Sequence, residues 1–343
     1  MLAILCRPRV LSHLAFCLIV AVFLLAESCG SQIYCPPVSP VSPTPPASCV
    51  GATTDFCRNV TVNGTSRYYL LHVPTNYQAN SGALVVVLHG SGGDGAQIES
   101  YSQMSSKADA TGFAVAYPYG LVAPSAGSTE WHNYFDDSIW APQTPPDDIA
   151  FMRMLVSAVE AEIHPDAKKV YFAGISNGAL FAHRVGIEMS DVVAAVGIVE
   201  GTLFGFSGNL QGIPPAVAPV SVQIFHGDAD SVIPYCAQQG VASQEVTFNY
   251  WIQTAANDCT ALDSSLPLCD AQGNITSLDE KDGAGCNGGV EVKIYRLIGG
   301  VHAWYSTAMN VPGQVPYNPD FDSTTGTTTN DILWNFFAAH PKP

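Results

Sequence analysis

Five stretches of this chain are apolar almost without interruption, and each ends at a glycine or a proline. They are ALVVVLHG (Ala83–Gly90), GFAVAYP (Gly112–Pro118), KKVYFAG (Lys168–Gly174), VAAVGIVEG (Val193–Gly201) and SVQIFHG (Ser221–Gly227). A strand with one wet face alternates apolar and polar residues. A strand that is apolar throughout must be covered on both faces, the condition of a parallel sheet between two layers of helices. Helical patterns fill the gaps. In DDIAFMRMLVSAVEAEI, the acidic Asp147 and Asp148 suit a helix start. Ile149, Met152, Leu155, Val156, Val159 and Ile163 then form one apolar face. NGALFAHRVGIEM, QEVTFNYWIQTAA and NDILWNFFAAH (Asn330–His340) are further helices, while RYYLLHVP (Arg67–Pro74) and VEVKIYRLIGG (Val290–Gly300) open and close the strand series. The pattern predicts an α/β fold with a mostly parallel central sheet and helices on both faces. Sites in such sheets lie beyond the carboxyl ends of the strands.

The N-terminus is of another kind. Arg7 and Arg9 precede an apolar run to Ala26, and small residues follow, so residues 1–28 read as a signal peptide of a secreted protein. A retained anchor, or lipid attachment at Cys29, is the alternative. Residues 29–48 contain PPVSPVSPTPP, which cannot build a core and reads as an extended Pro-rich tether. Residues 49–343 form the folded domain, without a visible internal repeat. Of the ten cysteines, eight lie beyond the signal, an even number that argues for disulfides in an exported chain. Cys49 with Cys57 and Cys259 with Cys286 are the expected pairs. Neither a CxxC spacing nor a compact His/Cys cluster suggests a metal. A net charge of −16 sets the chain against a nucleic-acid partner. No cofactor is called for, and a monomer is expected.

GISNG, from Gly174 to Gly178, follows the apolar strand KVYFA and opens the helical run NGALFAHRV. Strand, turn and helix in that order are the context in which a serine between two glycines becomes a nucleophile elbow. A serine hydroxyl needs a base, and the base needs an acid to orient it. In this architecture both come later, acid first, each just past a strand. Asp230 follows SVQIFHG, and His302 follows VEVKIYRLIGG. Asp228 reads as a turn or cap residue, and His89 and His226 as structural histidines in strand-ending HG pairs. Two backbone donors are needed for an oxyanion. Asn177 supplies one, and Ser91, in the glycine-rich loop after VVVLHG, the other, with Gly92 as runner-up. That loop is no phosphate cradle, since neither GKS nor GKT occurs.

LVVVLHGSGG, ADATGFAVAYP, DDIAFMRMLV, VYFAGISNGALFAHR, HGDADSVIPY and YRLIGGVHAWY together resemble the polyhydroxybutyrate depolymerase-like and feruloyl esterase-like group of secreted α/β-hydrolases. The resemblance runs from about Arg67 to His340. It implies an α/β-hydrolase fold and a serine carboxylic-ester hydrolase with Ser176 as nucleophile, His302 as base and Asp230 as acid. It also favours Trp131 and Trp304 as aromatics contacting substrate. Feruloyl or acetyl esters of plant polysaccharide are the expected substrates, with short polyesters as the alternative and an inactive hydrolase fold used for binding as the non-enzymatic one. Two features depart from the family's pattern. Serine stands after Gly90 where relatives often carry cysteine. The Cys259–Cys286 segment is long and polar, and reads as surface decoration or a disulfide-tied flap. Asn59, Asn63 and Asn274 are glycosylation sequons.

Overall fold

In the strand β3 (Leu84–Leu88), Leu84, Val86 and Leu88 enter one apolar core, and Val85 and Val87 enter another on the opposite face. That is the two-faced burial expected of an uninterrupted apolar run. The computed structural model describes residues 57–133, 137–203, 213–236, 242–305, 317–318, 321–322 and 327–343. The expected leader (1–28), tether (29–48) and Cys49 lie outside the described residues.

The central sheet has ten strands. Before β3 come β1 (Cys57–Val62) and β2 (Thr65–His72). After it come β4 (Ala114–Pro118), a separate hairpin of β5 (Leu121–Ala123) and β6 (Ser128–Glu130), then β7 (Val170–Ile175), β8 (Ala195–Val199) and β9 (Ser221–Gly227). β10 (Ala261–Leu262), β11 (Glu280–Ala284) and β12 (Val292–Leu297) complete it. The order is β1-β2-β4-β3-β7-β8-β9-β12-β11-β10. From β4 to β12 every neighbouring pair is parallel. The two ends of the sheet are antiparallel.

One face is covered by α3 (Asp148–Ile163), α4 (Asn177–Glu188) and α5 (Gln244–Gln253). The other is covered by α1 (Gly95–Ser102), α2 (Met104–Thr111) and α6 (Thr329–Ala339). Asp147 caps α3 as expected, accepting from the Ala150 amide at 2.9 Å. Asp148 does something else. It is fully buried, pairs with the buried Arg67 at 2.6 Å and accepts from the His132 amide at 2.8 Å. Because a lone buried charge is costly, each of the two requires the other.

The Cys259–Cys286 segment is neither loose decoration nor a flap: its β10 and β11 extend the sheet beyond β12. The expected Cys259–Cys286 disulfide closes it, and a second, Cys236–Cys269, ties it to the loop after β9. Cys57 is also disulfide-bonded. Among the described residues no helix is long and apolar enough to cross a membrane.

The close packing of α4 beneath β3 depends on Gly178. A Cβ there would lie 2.5 Å from the carbonyl oxygens of Leu88 and His89, and backbone cannot yield as a flexible side chain can. Gly178→Ala is therefore expected to destabilise the fold by about 1–3 kcal/mol through overpacking, despite alanine's better helix propensity. Urea unfolding of the two proteins checks this.

Candidate active site

Ser176 joins β7 directly to α4 and holds φ 56° and ψ −124°, a backbone state that non-glycine residues avoid. Its amide donates to Val199 O at 3.1 Å, and its carbonyl accepts from Ala179 and Leu180, so both sides of the turn are tied down. Gly90 packs against it: a Cβ on Gly90 would be 3.3 Å from Ser176 Cβ. Ser176 is half-buried, so its hydroxyl is held on a rigid turn at a solvent-accessible place.

The loops after β9 and β12 bring Asp230 and His302 together. His302 Nδ1 lies 2.7 Å from Asp230 Oδ2. Asp230 Oδ1 accepts from the Val232 and Ile233 amides at 2.7 and 2.9 Å, which fixes the carboxylate in rotation. Asp228 is a loop brace, as its position suggested: its Oδ1 accepts from the Gly299 amide at 2.7 Å, and Ala229 donates to Gly300 O at 2.9 Å. The acid loop thus positions the histidine loop.

Behind this pair lies a buried polar cluster. His226 Nε2 is 2.7 Å from Ile233 O and 3.4 Å from Asp230 Oδ2, and its Nδ1 is 2.7 Å from Gln244 Nε2. Gln244 Nε2 also donates to Gly201 O, so it has a second hydrogen to give Nδ1, and the ring proton sits on Nε2. Burial alone would raise the Asp230 carboxyl. Hydrogen bonds from His226 and His302 reverse this and hold it well below the usual carboxylate range.

Glu200, the first residue after β8, is a member of this cluster that sequence reasoning missed. It is fully buried, accepts from the Gly227 amide at 2.9 and 3.1 Å, and sits 3.6 Å from His226 Nε2. Burial pushes its carboxyl well up, and the charge of Asp230 pushes the same way. The only hint in sequence was its place, as an acid closing an apolar strand before Gly201. Donor atoms of Glu200, Asp230 and His302 lie within 4.8 Å of one another, but a metal there would compete with the Asp230–His302 hydrogen bond.

The raised carboxyl carries a pH signature. Folded Glu200 holds its proton more tightly than the unfolded chain does. Its stabilising contribution is full below the ordinary carboxyl range and is lost as pH rises through the folded value. Glu200→Gln keeps the neutral shape, so it is expected to melt above wild type at pH 8 and to lose that advantage by pH 4. Thermal melts at both pH values check this.

On the other side of Ser176, His89 is buried and held neutral, its pKa pushed down to about 4 by burial. Its Nδ1 lies 2.8 Å from Gly90 O and its Nε2 accepts from the Gly120 amide at 2.9 Å, so it orders the loop, consistent with a structural role. The Gly92 amide is spent on Thr129 O at 2.8 Å, whereas Ser91 N–H has no acceptor among the described residues. Asn177 N–H is one of the unpaired donors at the start of α4.

Trp131 and Trp304 sit in the core rather than on an open surface. Both are fully buried. Trp131 stacks on Phe181 with centroids 5.4 Å apart, and its Nε1 donates to His89 O at 3.0 Å. Trp304 Nε1 donates to Asn330 Oδ1 at 2.8 Å. An aromatic near a strand end reads alike in sequence whether it lines a cleft or fills the core beneath it. A cavity of about 340 Å³ lies elsewhere, lined by residues such as Glu245, Cys269 and Gln272.

Residues 67–213 match the family described as esterase PHB depolymerase. The chain is 27% identical to NocK of Nocardia uniformis subsp. tsuyamanensis, assigned as an esterase, over 92% of this chain and 96% of that protein. It is 26% identical to feruloyl esterase B of Piromyces equi, over 69% of this chain but only 42% of that protein's length. In sequence the chain is similar to the polyhydroxybutyrate depolymerase-like and feruloyl esterase-like esterases. The solved acetyl xylan esterase from Aspergillus awamori shares the fold of this esterase, with a TM-score of 0.52, 15% identity, and coverage of 82% of this chain and 98% of that one.

Proposed function

We propose that this esterase works by acyl transfer through Ser176, His302 and Asp230. The observation that carries the reading is the 2.7 Å contact of His302 Nδ1 with a carboxylate that two backbone amides hold in place. Nδ1–H donates to Asp230, which leaves Nε2 unprotonated and able to take the Ser176 proton as the hydroxyl attacks the ester carbonyl. The backbone amides of Ser91 and Asn177 bind the oxyanion of the tetrahedral intermediate. His302 then protonates the leaving alcohol, and water releases the acid from Ser176 by the same steps. The substrates are feruloyl or acetyl esters on plant polysaccharide. Relatives named feruloyl esterase B and acetylxylan esterase/xylanase support that class. The protein acts outside the cell after removal of residues 1–28, a reading supported by its disulfides, which persist in oxidising compartments.

The test is a parallel assay on methyl ferulate, acetylated xylan and amorphous polyhydroxybutyrate. Turnover of either of the first two above the polyester is expected. Cleavage of the polyester alone would replace the carbohydrate-ester reading with the depolymerase one.

A further inference from the structure

We propose that the β5–β6 hairpin is a clamp that sets the spacing of the two oxyanion donors, with Glu130 and Trp131 as its positioning residues. The proposal rests on the reading of Ser176 as nucleophile and of the Ser91 and Asn177 amides as oxyanion donors. Three consecutive residues, Thr129 to Trp131, bond to the two sides of the serine, and Ser128 braces Glu130 among them. Toward the loop after β3, Ser91 Oγ donates to Glu130 Oε1, which also accepts from Ser128 Oγ at 2.7 Å. The Gly92 amide donates to Thr129 O at 2.8 Å, and Thr129 Oγ1 returns a bond to Gly93 O at 2.5 Å. Trp131 Nε1 reaches His89 O at 3.0 Å. Toward α4, the Trp131 backbone amide donates to Asn177 Oδ1 at 2.8 Å.

The clamp answers a physical problem. The loop from Gly90 to Gly93 has three glycines in four residues. Such a loop can approach Ser176 closely, but left alone it samples many conformations. An oxyanion hole accelerates the reaction only when its donors are fixed before charge develops. Side-chain and backbone bonds from one short strand give the loop that fixity and place it relative to Asn177. Glu130 is a buried acid, and its carboxylate is costly to bury without donors, which Ser91 and Ser128 supply. Asn177 serves twice in this arrangement. Its side-chain Oδ1 anchors the hairpin while its backbone amide faces the reaction.

The experiment compares Ser91→Ala, Glu130→Ala, Glu130→Gln and Trp131→Phe on a soluble aryl ester, with affinity for a trifluoromethyl ketone that forms a tetrahedral adduct. Ser91→Ala cuts one bond of the clamp at an exposed side chain and keeps the backbone amide, so it reports even if the buried variants do not fold. Ser91→Ala, Glu130→Ala and Trp131→Phe are expected to lower kcat about 5- to 20-fold, less than the ~10²–10³ that removal of a donor costs. KM should hold within about 2-fold and ketone affinity should fall in step with kcat/KM. Glu130→Gln, which keeps the acceptor, should recover most of the rate. Labelling of Ser176 by a fluorophosphonate in the wild-type protein tests the underlying reading separately. Unlabelled Ser176 would sink that reading. With Ser176 labelled, unchanged kcat in folded Ser91→Ala and Trp131→Phe, or a change in KM alone, would overturn the clamp.

Discussion

Ser176→Ala is expected to lower kcat by about 10⁴-fold or more while leaving the fold intact. The Ser176 hydroxyl makes no structural hydrogen bond among those described, whereas its backbone ties both sides of the elbow. Removing the oxygen therefore deletes chemistry without deleting support. The elbow's strain permits a sharper version of the test. At φ 56° and ψ −124° a side chain costs about 1–3 kcal/mol, and glycine does not bear that cost. Glycine also makes the unfolded chain freer by up to about 1 kcal/mol, which offsets part of the gain. Ser176→Gly should thus be as inactive as Ser176→Ala and unfold at the same or higher urea concentration. Full activity in either variant would overturn the nucleophile assignment. A glycine variant less stable than the alanine one would show that the turn is not strained.

The sheet was legible in the sequence because its information is local. Leu84 to Leu88 is apolar at every position, and only a strand covered on both faces tolerates that. The positions of Ser176, Asp230 and His302 were legible because each sits just past a strand. What escaped depends on contacts between distant segments. Arg67 lies in a strand that reads as ordinary, and only its pairing with Asp148, at the start of α3, makes it a core residue. The β5–β6 hairpin is three residues a side, too short for any periodicity, yet together with Trp131 just after it, it bonds to the loop after β3 and to the start of α4. Glu200 looks like a strand-ending acid, and its buried place beside His226 follows from three neighbouring strand ends meeting. Trp131 and Trp304 read as substrate contacts because sequence gives an aromatic's place along the chain and not its depth.

Asp230→Asn is expected to lower kcat by about 10⁴-fold, and the surrounding bonds say why an isosteric change should cost so much. The Val232 and Ile233 amides claim Oδ1, so an asparagine must turn its oxygen to them and its NH₂ toward His302. His302 Nδ1 then has to accept, and the ring proton moves to Nε2, the nitrogen that should take the serine's proton. The base is blocked by its tautomer rather than displaced. Glu200 adds a dependence on pH. Its carboxyl is pushed up first by burial and then by the charge of Asp230, and Asp230→Asn removes the second cause. Glu200 then ionises at lower pH, with a carboxylate oxygen within 4.8 Å of the His302 nitrogen. A negative charge there favours a proton on the imidazole and restores part of the missing function. The residual activity of Asp230→Asn should therefore climb with pH after the wild-type rate has levelled, and Asp230→Asn/Glu200→Gln should show no such climb. Parallel pH–rate profiles decide it: identical profiles for the single and double variants would mean that Glu200 only fills space behind the acid.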